Sequence, residues 1–200
     1  MELLLPTGYL SYSQYTCWKT SPGRYRREYF EGGKKLDTKY LRFGKEFAEK
    51  LERGEILNVP SYHNPEVKMI VIVAGVPTIG YIDDMDKIAP HPFNEYKTGK
   101  IPWTAKKVQK HEQLPWYSMQ IKWSNEARVI SPYCNLVWVE TVENLEGTFW
   151  DRADKALKTT GRIEIFRRDF DEREIERLEK DVVKVALEIS EAYRAFIKEI

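Results

Sequence analysis

The chain has 200 residues, 42% of them hydrophobic, which is enough to bury a sizeable core and favours one domain, with at most a small appendage, over a disordered chain. Thirty-two Lys and Arg nearly balance 31 Asp and Glu, so net charge neither selects nor excludes a polyanionic partner. Two cysteines, Cys17 and Cys134, are too few for a disulfide scaffold or for a four-cysteine zinc or iron–sulfur site, which fits an intracellular compartment. The opening Met1–Pro6 lacks the basic segment and apolar length of a signal peptide, and no later run is long and apolar enough to span a membrane, so no membrane partner is expected.

In chain order, Leu10–Tyr15 opens a helix capped by Ser11 or Ser13, interrupted at Ser21-Pro22-Gly23. Asp37–Arg53 reads as an amphipathic helix with Tyr40, Phe43, Phe47 and Leu51 at helical spacing, ended near Gly54. Val67–Gly75 is an apolar strand, followed by strand-like pieces at Gly80–Asp83 and Phe93–Lys97. Lys106–Trp123 is helical in character, and Pro115 divides or bends it unless it falls in the first turn of a second segment. Strands at Asn135–Val142 and Arg162–Arg167 follow. A last helix begins after Asp171 and packs through Ile175, Leu178, Val182, Leu187, Ile189, Tyr193, Phe196 and Ile197. No internal repeat or low-complexity tract occurs.

Charge is unevenly spread. Lys19–Arg42 holds eight basic and three acidic residues, whereas Asp171–Ile200 holds six basic and nine acidic. Arg24, Arg26, Arg27, Lys34 and Lys35, interleaved with Tyr25, Tyr29 and Phe30, could contact phosphates and stack on an exposed base, or form a solvated surface whose rings pack inward. Lys100, Lys106, Lys107 and Lys110 form a second basic series, with no acidic residue between Tyr96 and Lys110.

Asp83, Glu95 and Lys97 carry the most chemistry. Side chains alternate along a strand, so Glu95 and Lys97 share one face while Tyr96 enters the opposite layer. The Pro90-His91-Pro92 break lets two antiparallel strands bring Asp83 to Glu95. Two carboxylates with the Tyr96 carbonyl suit a hard cation such as magnesium, and Lys97 would hold or help deprotonate an attacking water. The same residues could instead be a solvated strand pair with Asp83 capping a turn. Alternation turns Asp84 and Asp86 away from Asp83, unless a bulge intervenes. Gln113 and Tyr117, four apart, share a helix face and could buttress Lys97; Trp116 is a core aromatic. His63, His91 and His111 lack metal-ligand spacing. Ser11 and Ser13 have no nucleophile-elbow context, and no phosphate loop predicts use of ATP.

The ordered set of Gly44 and Glu49 on a helix, Gly80-x-Ile82-Asp83, Glu95-x-Lys97 and Gln113-Leu114-Pro115-Trp116-Tyr117 resembles the PD-(D/E)XK nuclease superfamily, and within it the RecB-type and lambda-type exonuclease branch, over roughly Leu10–Val142. The resemblance implies an α/β fold, a restriction-endonuclease-like core with a central mixed β-sheet flanked by helices. It further implies that 1–200 form a single nuclease domain with an N-terminal basic helical region and a C-terminal packing helix. By the same resemblance Asp83, Glu95 and Lys97 are the phosphodiesterase centre, served by Mg2+ or Mn2+, and Gln113 and Tyr117 support the site or touch DNA. Gly44 is followed four residues later by Ala48, where many RecB-type domains have histidine, so Glu49 is the helix-borne acidic ligand, with Glu46 and Glu52 as alternatives. Two cysteines depart from the iron–sulfur relatives, so no iron–sulfur cluster is expected, and Cys17 reads as a small buried contact.

These features predict a metal-dependent DNA exonuclease in recombination, repair or viral DNA processing, in the cytoplasm or inside a host cell. The alternatives are a structure-selective or sequence-specific endonuclease on the same fold and a non-catalytic nucleic-acid-binding subunit. DNA is the expected partner. A homo-oligomer or a recombination protein partner would keep an isolated exonuclease on DNA, although the C-terminal helix specifies no such assembly.

Overall fold

The computed structural model describes residues 3–33, 38–56, 58–143 and 157–199. Ser11 starts the first helix as expected: its hydroxyl accepts from Gln14 N while the Gln14 side chain accepts from Ser11 N, so two amides that the helix leaves unpaired are satisfied reciprocally. The elements are β1 (Leu10–Ser11), α1 (Tyr12–Thr20), α2 (Pro22–Tyr25), a π-helical turn (Arg26–Phe30), α3 (Lys39–Glu52), β2 (Pro65–Val73), β3 (Val76–Met85), β4 (Phe93–Gly99), α4 (Ala105–Gln109), α5 (Gln113–Ser124), β5 (Tyr133–Glu143), β6 (Leu157–Asp169) and α6 (Glu172–Glu199).

Among the described residues the strands form one six-stranded mixed sheet, ordered β1-β3-β4-β5-β6 with β2 against β3. β1/β3 and β4/β5 are parallel, and the remaining pairs are antiparallel. This is an α/β fold with a restriction-endonuclease-like core. The larger core joins α1, α5 and α6 to one face through Tyr15, Trp116, Met119, Ile175, Val182 and Ile189. A smaller cluster, Phe47 of α3 with Val59, Tyr96, Val137 and Val139, covers the other. No helix among the described residues is long and apolar enough to cross a membrane.

Several expectations need correction. Ala74 and Gly75 belong to a turn rather than to the strand: both have positive φ, 46° and 89°, as a tight two-residue hairpin turn requires. The Lys106–Trp123 segment is two helices, and Pro115 sits in the first turn of the second, α5, the placement the sequence allowed for it, where its missing N–H costs no helical bond. Leu187 and Ile197 do not pack; they are 41% and 45% exposed on the outer face of α6. Of the two readings open for Tyr25, Tyr29 and Phe30, inward packing is the one observed. Tyr25 is fully buried against Trp18, and Phe30 packs on Tyr193 and Phe196 of α6.

Asp84, 1% exposed, ties the sheet to its neighbouring loop. Its carboxylate accepts from Tyr62 N (2.6 Å), Asn64 N (3.1 Å), Asn94 Nδ2 (2.9 Å) and Tyr96 OH (3.2 Å), and Asn94 accepts in turn from Asn135 of β5. Removing that acceptor leaves buried donors unpaired, each costing on the order of 1–3 kcal/mol. Asp84→Ala is therefore expected to lower unfolding stability by at least about 3 kcal/mol in urea titration, and Asp84→Asn, which keeps one acceptor oxygen, by less. An unchanged urea midpoint for Asp84→Ala would refute this role.

Candidate functional site

β3 and β4 share two ladder pairs, Asp84↔Asn94 and Met85↔Phe93, and none beyond them. Ile82 and Met85, three residues apart, both reach the larger core, so strict alternation breaks at Asp83-Asp84. In the fork that opens there, Tyr96 N–H donates to Asp83 Oδ2 at 2.7 Å, a side-chain bond where the ladder would otherwise continue. β4 instead runs parallel to β5 along its length, with Glu95 beside Leu136 and Lys97 beside Trp138. The fork thus brings Asp83, Glu95 and Lys97 together, and Tyr96 enters the opposite layer as alternation requires.

Glu95 is 1% exposed. Its Oε1 accepts from Lys97 Nζ at 2.5 Å, and its buried Oε2 receives no N–H donor and has the Asp83 carboxyl as its neighbour. Lys97 also donates to Gln113 Oε1 at 3.0 Å, and Gln113 Nε2 donates to Tyr117 OH at 2.7 Å. The first turn of α5 therefore aims the ammonium. α5 lies close over the sheet because Gly80 lacks a side chain: a Cβ there would fall 2.2 Å from Gln120 Oε1 and 3.1 Å from Tyr117 Cε1.

Burial, reinforced by the neighbouring Glu95 charge, pushes the Asp83 carboxyl well above the usual carboxylate range. Burial opposes the charge on Lys97, but Glu95 and Asp83 outweigh it and hold the ammonium above its ordinary value. Tyr117 is raised by burial and then by the same two carboxylates. His111 is lowered to about 4 by burial and by the cations Lys97, Arg168 and Lys107.

A cleft of about 580 Å³ opens over the fork, with Asp83, Glu95, Tyr96, Lys97 and Gln113 at its base and α3 along one wall. Glu49 and Glu52 line it and Glu46 does not; Glu49 lies 3.9 Å from Lys45, and Glu46 pairs with Lys50. Glu66 of β2 is raised by a hydrogen bond with Glu52 and then by burial. Among the described residues no three His, Cys, Asp or Glu side chains gather as a metal-holding group. The donors at the base fit a divalent cation all the same: Asp83 and Glu95, in hydrogen-bond contact with each other, set two carboxyl groups where a bound dication would take the place of the proton that Asp83 retains.

The basic residues lie apart from the cleft lining. Arg24 pairs with Glu28 at 2.5 Å, Arg26 approaches Glu199 at 3.9 Å, and Arg27 is exposed on the π-helical turn. Lys34 and Lys35 lie outside the described residues. Lys100, Lys106, Lys107 and Lys110 are all exposed on β4–α4, and Lys107 Nζ sits 4.0 Å from the centre of the Trp103 ring. Sequence reasoning missed how this segment is held. Trp103 stacks on His111 with centroids 4.9 Å apart, and buried Arg168 of β6 donates to the carbonyls of Val108 and His111 and pairs with Glu174. An arginine in a strand with charged neighbours gives no local sign of such a role. Tyr12 was missed too; its hydroxyl is raised by burial and then by Glu112, with Lys97 acting against them.

No protein-family model matches the chain, and no curated protein matches it in sequence. Solved structures do match. A phage-related exonuclease from Haemophilus somnus 129PT is 14% identical with a TM-score of 0.52, over 96% of this chain and 86% of that one. An alkaline exonuclease from Laribacter hongkongensis is 14% identical with a TM-score of 0.49, over 96% and 93%. At such identity the likeness is one of fold.

Because folded Asp83 holds its proton more tightly than the unfolded residue, its contribution to stability is complete below the ordinary carboxylate range and is lost as pH rises through the raised value. Asp83→Asn is expected to be more stable than the parent at pH 8 in chelator, with the gap closing towards pH 4. Equal urea midpoints at both pH values would show that Asp83 ionises without penalty.

Proposed function

We propose that the chain is a divalent-cation-dependent deoxyribonuclease of the PD-(D/E)XK type, acting as one domain that hydrolyses phosphodiester bonds from DNA ends. The observation that carries this reading is the pair of carboxyl groups in the strand fork, Asp83 and Glu95 in hydrogen-bond contact, beside an ammonium held by Gln113. Asp83 and Glu95, with the Tyr96 carbonyl, are the residues that would hold Mg2+ or Mn2+, and Glu49 lines the same cleft as a further acidic candidate. When bound, the cation supplies a lowered water pKa and a polarised phosphate oxygen.

The side chains divide the remaining work. Lys97, held charged, is a donor rather than a base: two of its three N–H bonds go to Glu95 and Gln113, and the third is left to hold the attacking water or a phosphate oxygen whose charge grows in the transition state. Tyr117 fixes the orientation of the Gln113 amide, so that its carbonyl faces the ammonium. Lys100, Lys106, Lys107 and Lys110, none ion-paired within the described residues, take the phosphates flanking the cut. The preference for ends rests on the shared fold with the phage-related exonuclease.

Purified protein with Mg2+ is expected to degrade end-labelled linear DNA and to spare covalently closed circles. Cutting of closed circles would reassign it as an endonuclease, and salt-sensitive binding without turnover as a non-catalytic subunit. Lys97→Ala should reduce cleavage roughly 10²- to 10³-fold while remaining folded. Mg2+ should raise the Tm of the parent and leave that of Asp83→Asn unchanged, since a ligand stabilises only the state that binds it. Full activity in both Asp83→Ala and Lys97→Ala would sink the mechanism.

A further inference from the structure

Among the described residues the sheet ends in two outer strands, and they are guarded unequally. β6 carries Arg162, Glu164, Arg167 and Asp169 and is interrupted by Gly161 at φ 88°, charges and a kink that keep a further strand from adding. β2 has β3 as its one ladder neighbour. Its guards crowd into its first half, where Pro65, Glu66 at φ 47° and Lys68 stand. The second half, Met69–Val73, holds no charge, proline or glycine, and Ile70 and Ile72 are 70% and 64% exposed. An uncharged run of β-branched residues on an open edge is adhesive unless a partner covers it.

The hairpin decides which groups that edge offers. Val73 and Val76 flank the two-residue turn and bond to each other, which turns the N–H and C=O of Lys68, Ile70 and Ile72 away from β3. The same three side chains lie on the solvent face. We infer that a second copy of this chain pairs antiparallel with β2 about a two-fold axis at Val71, joining two six-stranded sheets into one. In that register Ile70 exchanges backbone bonds with Ile72 of the partner subunit, and Met69 meets Val73 of the partner subunit on the core face.

Charge selects both the occupant and the register. Centring the pair on Ile70 or Met69 would set Lys68 against Ile72 or Ile70 of the partner subunit, and centring it on Lys68 would set two ammonium groups together. About Val71, uncharged run meets uncharged run, and Pro65, Glu66 and Lys68 of each copy extend past the other's turn at 74–75. The second copy thus carries the complement that the bare half requires. Two-fold pairing is closed, so it covers both bare edges without growing into a filament. The ladder is short and the dimer accordingly weak. This pairing does not depend on the chemistry of the fork.

The full chain is followed by sedimentation velocity across a concentration series, with hydrogen exchange of the Ile70 and Ile72 amides. The parent should pass from monomer to dimer with a Kd on the order of 10 µM. The two amides, open to solvent in the dilute monomer, should exchange about tenfold more slowly in the dimer. Ile72→Lys sets a charge against isoleucine in the new ladder, and Ile72→Pro removes one outward N–H while sparing the bonds to β3. Each should raise the Kd more than about tenfold, and Ile72→Val should dimerise as the parent does. In dilute solution circular dichroism should show unchanged melting for the lysine and valine variants.

A parent that stays monomeric throughout, a trimer or larger ring, or a dimer that both Ile72→Lys and Ile72→Pro leave intact would each overturn the proposal. Ile70 and Ile72 amides already protected in the dilute monomer would also overturn it, since another stretch of the same chain would then cover the edge. Every one of these outcomes leaves the nuclease reading standing.

Discussion

The Asp84 carboxylate is the constraint on which the rest of the structure depends. It binds the 62–64 loop, the Asn94 amide on β4 and the Tyr96 hydroxyl, and so fixes where β3 and β4 touch and where they separate. Buried carboxylates are tolerable only when donors surround them, and here the donors come from two separate stretches of chain, the 62–64 loop and β4. Once Asp84 is committed to that side, its neighbour Asp83 is turned into the fork. Two consecutive aspartates therefore divide the tasks, one closing the sheet and the other supplying the open site.

The fork concentrates charge where the surrounding core would exclude it. Glu95 sits beside Leu136 in the sheet with the Asp83 carboxyl against it, and Lys97 stays charged beside them because Glu95 and Asp83 outweigh its burial. Such an arrangement opposes local stability, and it persists because α5 is held rigidly above it: Pro115 and Trp116 are buried, Gly80 permits the close approach, and Gln113 meets Lys97. The helix that packs the core is the same helix that orients the ammonium.

Much of this was legible in the residue order. Alternation in Glu95-Tyr96-Lys97 gave the faces correctly, Ser11 marked a helix start, and the spacing of Gln113 and Tyr117 anticipated their contact with each other, through which Gln113 meets Lys97. The antiparallel meeting of Asp83 and Glu95 followed from two strands separated by a proline-rich break. What escaped depends on long-range packing. The choice between stacking outward and packing inward is made for Phe30 by α6, more than 160 residues away, and the exposure of Leu187 and Ile197 by how much of a 28-residue helix finds a partner. Arg168 was invisible because its partners are carbonyls at a helix junction some 60 residues earlier in the chain. The slip in alternation between Ile82 and Met85 needed the register of the neighbouring strand.

The bond from Tyr96 N–H to Asp83 makes one backbone amide a spectator of the site. Ladder amides are shielded by other backbone groups, whose acceptor strength does not vary with solution conditions. This one is shielded by a titrating carboxylate, so its nitrogen and proton resonances and its solvent-exchange rate follow the charge on Asp83 directly. Among the twelve amides that 15N-tyrosine would label, the Tyr96 resonance would thus let the fork be followed as ions and ligands arrive, without any substitution in the protein.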